Sequence, residues 1–332
     1  MSAAVPFSRD VLALDPIAEA DRIAARMREI ASKQLHRRGF IIAISGGVDS
    51  GVCAALAVRV AGKDKVYGLL LPERDSSGES TIRGRAVAEW LGIKYEVHDI
   101  APALEALGCY RDRDAAMRAV VPDYGDDWKS KIVISGGLEG RFNHFRLVVQ
   151  PPGGEQQSVR LPLPEYLKIV AATNFKQRIR KAIEYYHADR LNYAVIGTPN
   201  RLEYDQGFFV KNGDGSADVK PIAHLYKTQV YAMARALGVP RATAEARPTT
   251  DTYSLAQGQD EFYFSLPYEQ MDLALWAHNH AVSVEELAPV LGIDVERAKL
   301  VYADIEAKRR TTAYLHAAPV LIDKVTEIQS PG

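Results

Sequence analysis

Apolar positions follow two rhythms along this chain, and the change from one to the other divides it. After Asp15-Pro16, an N-cap followed by proline at the first helical position, Ile17, Ala20, Ile23, Ala24, Met27, Ile30 and Ala31 recur at helical spacing. The unbroken run Phe40 to Ile44 then predicts a buried strand, the small-residue segment Val52 to Val60 a helix, and Val66 to Leu71 a second strand. Thr81 to Leu91 predicts a helix ending at Gly92, and Lys94 to Ile100 a third strand. This alternation predicts an α/β protein with a doubly wound, mostly parallel sheet. From Pro102 to Tyr166 the rhythm stops. The alternating run Phe145 to Val149 and the segment Val159 to Leu163, separated by Pro151-Pro152-Gly153-Gly154, predict a β-hairpin with a long loop. Residues 102–166 therefore read as an insertion, either a surface elaboration or a lid or substrate wall.

Regular structure is expected to resume with a helix from about Asn174 to Ala188, the strand Tyr193 to Gly197, and a helix from Thr228 to Leu237 closed by Gly238. Residues 262–332 read as a C-terminal helical extension, with helices at Tyr268 to His278, Ser283 to Leu291 and Val295 to Arg309. Ser283 and Glu286 form a capping-box pattern, Gly292 ends that helix, and Asp294 caps the next. The whole of residues 1–332 is expected to be a single domain carrying these two elaborations.

Composition narrows the function. A 47% hydrophobic and 25% charged chain of 332 residues is ordinary for a globular protein, and no run approaches the roughly 20 apolar residues of a membrane span. Met1 to Asp15 lacks the pattern of a secretory signal, so the expected compartment is the cytoplasm. The formal net charge of −1 gives no broad footprint for nucleic acid. The two cysteines, Cys53 and Cys109, form no C-x-x-C pair, which argues against a zinc ribbon or a sulfur relay.

Candidate chemistry concentrates in Ile44-Ser45-Gly46-Gly47-Val48-Asp49-Ser50-Gly51, between the first strand and the helix after it. Two glycines let the backbone approach a phosphate chain, and the helix start points free N–H groups and its positive dipole end at it. Ser45 and Ser50 add hydroxyls. Asp49 beside a phosphate is repulsive unless a divalent cation intervenes, so the loop implies Mg²⁺. The Walker pattern with its invariant lysine is absent.

The loop resembles the S-G-G-x-D-S loop of the N-type ATP pyrophosphatases. Together with Gly197-Thr198-Pro199-Asn200-Arg201-Leu202-Glu203, the stretch Gly207 to Asp218, Pro221 and Leu225-Tyr226-Lys227-Thr228-Gln229, it is similar to the NAD synthase family. Asn174 to Arg180, Pro248 to Asp251 and Gln259 to Glu261 extend the likeness. The resemblance implies a Rossmann-like, adenine nucleotide alpha-hydrolase-like fold. It also implies the activity: ATP adenylates the nicotinate carboxylate of deamido-NAD, pyrophosphate leaves, and ammonia displaces AMP to give NAD. Ser45, Gly46, Gly47, Val48, Asp49, Ser50, Thr198, Lys227 and Thr249 would bind ATP, with Mg²⁺ on Asp49 and Glu203. Asp49, Asp214 and Lys227 would be catalytic, Asp214 binding ammonium and helping deprotonate it. Asn174, Arg178, Lys211 and Asp218 would bind deamido-NAD. The family loop matching Asp75 to Ser77 sits over ATP and moves.

Bland readings stand beside these. Lys176, Arg178, Arg180 and Lys181 also fit the solvated face of a helix, and Asp218 also fits a turn cap. The sequence departs from the family pattern at Pro199, Arg201, Leu202, Val210 and Asn212, at Arg83-Gly84, in the length of the 102–166 insertion and in the tail. These departures are expected to spare the ATP residues and to bear on the carboxylate substrate. The alternative reading is an NAD-synthase-like amide ligase that adenylates a different carboxylic acid. Only about forty residues precede the first strand and carry no catalytic cysteine, so ammonia is the expected nitrogen donor, with a separate glutaminase as an open partner. A homodimer is expected by resemblance, with no nucleic-acid or membrane partner.

Overall fold

The structure, a computed structural model, describes residues 7–135, 144–246, 253–255, 258, 263, 266–323 and 325–327. Four parallel strands form the central sheet: β1 (Phe40–Ala43), β2 (Val66–Leu70), β3 (Lys94–Val97) and a short β7 (Ala194–Val195), in the order β3-β2-β1-β7. Phe40 pairs with Val66 on one side and with Ala194 on the other, and Tyr67 pairs with Lys94. The order reverses direction at β1, and α/β sheets of this kind bind ligands at the carboxyl ends of the strands flanking such a switch.

Both faces of the sheet are covered, as the continuous apolar runs require. On one face α1 (Pro16–Glu29), α2 (Val48–Ala61) and α8 (Lys227–Leu237) enclose Ile23, Met27, Phe40, Ile42, Val52, Leu56, Val230 and Met233. On the other, α4 (Ala101–Ala106), α5 (Cys109–Arg118) and the long α6 (Leu163–Leu191) enclose Ile41, Leu69, Ile100, Leu104 and Tyr110. The helix α3 (Gly78–Leu91) ends at Gly92, α6 at Asn192 and α8 at Gly238, each of these stop residues in the left-handed conformation. Two sequence expectations change here. The helix expected from Asn174 begins at Leu163, because Pro162 and Pro164 start it instead of stopping it.

The insertion is also larger than a hairpin. β4 (Lys129–Ser135), β5 (His144–Gln150) and β6 (Gln157–Arg160) form a three-stranded antiparallel sheet, with Leu147 opposite both Ile132 and Val159. Its apolar face, Ile132, Leu147 and Val149, packs with Met117 of α5 and Ile169 of α6. The C-terminal helices α10 (Tyr268–Asn279), α11 (Val284–Leu291) and α12 (Val295–His316) build a separate core around Met271, Leu275, Leu287, Val301 and Ile305. Ser283 and Glu286 make the expected capping box, and Asp294 caps α12.

Candidate active site

The glycine loop leaves β1 at Ile44 and enters α2 with Gly47 as N-cap. Gly46 has a φ of 81°, and a Cβ there would lie 2.3 Å from Ser80 O, so only glycine fits. Ser50 Oγ donates to Gly47 O at 2.9 Å and lies 3.1 Å from Ser45 Oγ, while Ser45 Oγ accepts from Gly47 N at 3.3 Å. The hydroxyls thus hold the loop open ahead of the helix start. One departure from the family pattern does reach this loop: Arg83 Nε donates to Gly46 O at 3.2 Å, and a Cβ on Gly84 would lie 2.8 Å from Ile44 O. The expectation that the departures spare the nucleotide residues fails at Arg83-Gly84, because α3 packs directly on the loop.

Facing the loop, α7 (Arg201–Gln206) starts at Asn200, whose Oδ1 accepts from Leu202 N at 3.0 Å and Glu203 N at 3.1 Å. Glu203 Oε2 returns the contact by accepting from Asn200 N at 3.1 Å, completing a capping box. The Asn200 amide then donates to Asp49 Oδ1 at 3.1 Å, and the buried Lys227 ammonium donates to Asp49 Oδ2. Burial, then the nearby Asp49 carboxylate, push the Glu203 carboxyl up to about 8, against the pull of Lys227. Burial opposes the charge on Lys227, yet Asp49 and Glu203 outweigh it and raise its pKa. Two carboxylates share one ammonium.

The third wall is the turn after Gly207. A Cβ on Gly215 would lie 2.3 Å from the Phe209 ring and 2.8 Å from Val210 O, so the tight turn excludes any side chain there. Asp214 Oδ1 accepts from Val210 N at 2.7 Å, and the surrounding protein raises its pKa by desolvation. Arg178 Nε donates to Lys211 O at 3.2 Å. Lys211 itself donates to Tyr314 O at 2.7 Å and Ala317 O at 2.8 Å, capping the last carbonyls of α12.

These walls enclose a cavity of about 580 Å³. Ser45, Asp49, Ser50, Asn174, Arg178, Thr198, Glu203, Lys211 and Asp214 line it together. Gly46, Gly47, Val48 and Lys227 lie behind the lining, in the loop backbone and beneath Asp49. Asp218 stands apart: its carboxylate accepts from Val195 N at 2.7 Å and from the Tyr185 hydroxyl at 3.2 Å. Thr249 lies outside the described residues, as do Pro248, Thr250, Asp251 and Gln259 to Glu261.

The basic run of α6 divides in two. Arg178 and Arg180 line the cavity, Arg180 donating to Leu71 O at 3.0 Å. Lys181, paired with Glu184 at 2.8 Å, borders the cavity as well, while Lys176 is fully buried against Glu73 and Asp75. Asn200 and Tyr166 were missed as site residues. Asn200 carried a signal, since Asn-x-x-Glu before a helix is a capping-box pattern whose free amide must point somewhere. Tyr166 lines the cavity while stacked on Phe145 of β5, centroids 3.7 Å apart, and only the fold brings that pair together.

A loop for phosphates, an acidic pair beside a lysine, and a carboxylate on the opposite wall suit nucleotide-dependent activation of an acid. A family model described as NAD synthase matches residues 20–119 and 157–312. The chain belongs to the NAD synthase family. The NH(3)-dependent NAD(+) synthetase of Rhizobium meliloti (strain 1021) is 57% identical over 324 residues, 97% of this chain and 97% of that protein. Two solved structures show the same fold. One, of an NMN synthetase from Francisella tularensis, has a TM-score of 0.64 at 20% identity and covers 94% of this chain and all of that one. The other, of an NH3-dependent NAD synthetase from Campylobacter jejuni, has a TM-score of 0.62 at 19% identity and covers 93% of this chain and all of that one. The gap in the NAD synthase match, residues 120–156, takes in β4 and β5, and the match resumes at β6.

Proposed function

We propose that this protein is an ammonia-dependent NAD synthase, a ligase that forms a C–N bond. The observation that carries the reading is the NH(3)-dependent NAD(+) synthetase of Rhizobium meliloti, more than half identical across nearly the whole of both chains. In the first step a carboxylate oxygen of deamido-NAD attacks the α-phosphorus of ATP, and pyrophosphate departs with the electrons of the broken P–O bond. In the second, ammonia attacks the acyl carbon and AMP departs, leaving the amide of NAD.

The residues are read in these roles. The Ser45 to Ser50 loop and the start of α2 hold the leaving phosphates, and Lys227 is released from Asp49 toward them. Thr198 borders the same end of the cavity, and Thr249 keeps its proposed ATP role from the motif alone. Asn174, Arg178 and Lys211 border the dinucleotide, and Asp214, whose pKa burial raises, accepts a proton from ammonium. Asp218, tied to β7, would reach the substrate only by giving up Val195 N. We read residues 1–332 as one catalytic domain in which the 102–166 insertion supplies a substrate wall through Tyr166 and the 262–332 extension another through Thr312 and Tyr314.

Mg²⁺ is the ion this reading implies, and the donor set suits it. Asp49 and Glu203 are hard oxygen donors close enough for one to disfavour the other's charge, which a bound cation would restore. Among the described residues no group of three metal-ligating side chains is assembled, so phosphate oxygens and water would complete the shell. When bound, the cation offsets charge on the departing pyrophosphate. The exposed Leu163 and Leu167, one turn apart on α6, support a homodimer, which light scattering would read directly.

The test is to incubate the protein with ATP, Mg²⁺ and ammonium, with and without deamido-NAD, and to resolve AMP, pyrophosphate and NAD by mass. Equal amounts of NAD and AMP are expected. ATP binding without NAD formation would reject this acid as the substrate, and equal activity with glutamine as sole nitrogen source would reject ammonia as the donor.

A further inference from the structure

Lys227 is the first residue of α8, so its ammonium is aimed only as well as that helix start is held. The first N–H groups of a helix have no partners within it. Here the first turn is fixed from two directions. Gln229 Oε1 accepts from Tyr226 N at 3.0 Å while its Nε2 donates to Leu12 O at 3.0 Å. The other support comes from α10 in the C-terminal helical region, where Asp272 Oδ2 accepts from Thr228 N at 2.8 Å.

Asp272 has no exposed surface, and among the described residues its Oδ1 and the Thr228 hydroxyl have no hydrogen-bond partner. A carboxylate this deeply buried is costly unless donors and a positive field offset it. The N-terminus of α8 and the charge of Lys227 supply that field. Burial still lifts the Asp272 carboxyl to about 6, and Lys227 has an acid on either side: Asp49 at its tip and Asp272 at its helix start.

We propose that Asp272 is a positioning residue for the ATP-consuming half of the reaction, fixing Lys227 from the C-terminal helices. The proposal rests on the reading that Lys227 serves the phosphates. When a triphosphate draws the ammonium away from Asp49, the helix start stays where Asp272 holds it, and the lysine needs only a change at its tip. The C-terminal helical region then contributes to phosphate chemistry through a residue that does not line the cavity.

A double-mutant cycle tests this. kcat and KM for ATP are measured for the natural protein, Lys227→Met, Asp272→Asn, Asp272→Leu and the Lys227→Met/Asp272→Leu pair, with folding followed by circular dichroism. Asp272→Leu fills the space without the acceptor and is expected to lower kcat/KM for ATP by about 10- to 100-fold, the scale of a misplaced catalytic group. Asp272→Asn keeps an acceptor suited to a helix start and is expected to stay within about threefold. In the Lys227→Met background, Asp272→Leu is expected to change kcat/KM by less than about threefold, because its effect runs through the lysine. A full, additive loss in that background, or no loss from Asp272→Leu alone, overturns the proposal while leaving the role of Lys227 intact. Full activity in Lys227→Met overturns the phosphate reading and the proposal with it. If the leucine variant does not fold, Asp272→Ser carries the same cycle with the same outcomes.

Discussion

Two buried charge clusters lie beyond the carboxyl ends of neighbouring strands, and they differ in one respect. Beyond β1, Asp49 and Glu203 share Lys227. Beyond β2, Glu73, Asp75 and Asp114 face Lys176, Arg113 and Arg74. In the second cluster Lys176 Nζ lies 3.0 Å from Glu73 Oε1 and 2.6 Å from Asp75 Oδ2, and Arg113 bridges Asp75 and Asp114. The Tyr110 hydroxyl donates to Glu73 Oε2 at 2.8 Å. Its charges cancel. In the first cluster the balance turns on Glu203: its raised pKa leaves Asp49 paired with Lys227, and an added cation would favour the second negative charge. A carboxyl of raised pKa sets the first cluster apart from the second, where each acid has a cation beside it. Here Asp75 and Ser76 contact α5 and α6, with Arg113 and Lys176 on Asp75 and Ser76 Oγ accepting from Arg180 at 3.3 Å.

The comparison breaks if the two clusters respond alike. The largest expected effect is on Asp49→Asn, which should slow pyrophosphate release by about 10³-fold, the scale of removing one transition-state stabiliser. Its melting temperature should move little, because the change also relieves repulsion of Glu203. An active Asp49→Asn variant would end the Mg²⁺ reading. Lys176→Met should do the reverse. It leaves the buried Glu73 without a cation and takes one from Asp75, and is expected to cost about 3–5 kcal/mol in urea unfolding, as removal of one partner of a buried pair does, while the folded fraction keeps its turnover.

The same cluster has a pH signature. Burial raises the Asp75 pKa, but Lys176 and Arg113 overcome it and hold the carboxyl below its ordinary value. The folded state therefore binds the proton less readily than the unfolded one. The Asp75 contribution is complete above the ordinary carboxylate range near about 4 and is lost as pH falls below it. Acid titration of stability should show that loss in the natural protein and a shallower one in Lys176→Met. Arg113→Lys should cost less, about 1.5–3 kcal/mol, by losing charged hydrogen bonds to one of its two acids. The smallest effect is expected from Lys211→Met, under about 1 kcal/mol from the lost cap on α12. A large rise in KM for deamido-NAD in that variant would show that the lysine serves substrate as well as the helix end.

What the residues disclosed beforehand was local. The glycine loop, the cap at Asp15, the Ser283 capping box and the stop signals at Gly92, Gly238 and Gly292 depend on neighbours a few positions away, and each sits where the sequence places it. Lys176 was opaque for the opposite reason. Its partners Glu73 and Asp75 are 103 and 101 residues distant, so a lysine in a basic run gave no sign of being buried. The third strand of the inserted sheet was not expected, although Ser130 and Ile132 already alternate with lysines at 129 and 131. The site followed the same division: the loop and Glu203 came from motifs, Asn200 and Tyr166 from the fold.

Asp218 has one further consequence. An open strand edge is a template on which another chain can pair, and proteins guard such edges with inward charges and short strands. β7 is two residues long, and its outer side is closed by the 218–219 segment, with Asp218 N and Val219 N donating to Val195 O and the Asp218 carboxylate taking Val195 N. At the other edge β3 carries Lys94 and Glu96 in exposed positions. A carboxylate first noticed for its place in a substrate motif thus covers one edge of the central sheet, while charged side chains mark the other.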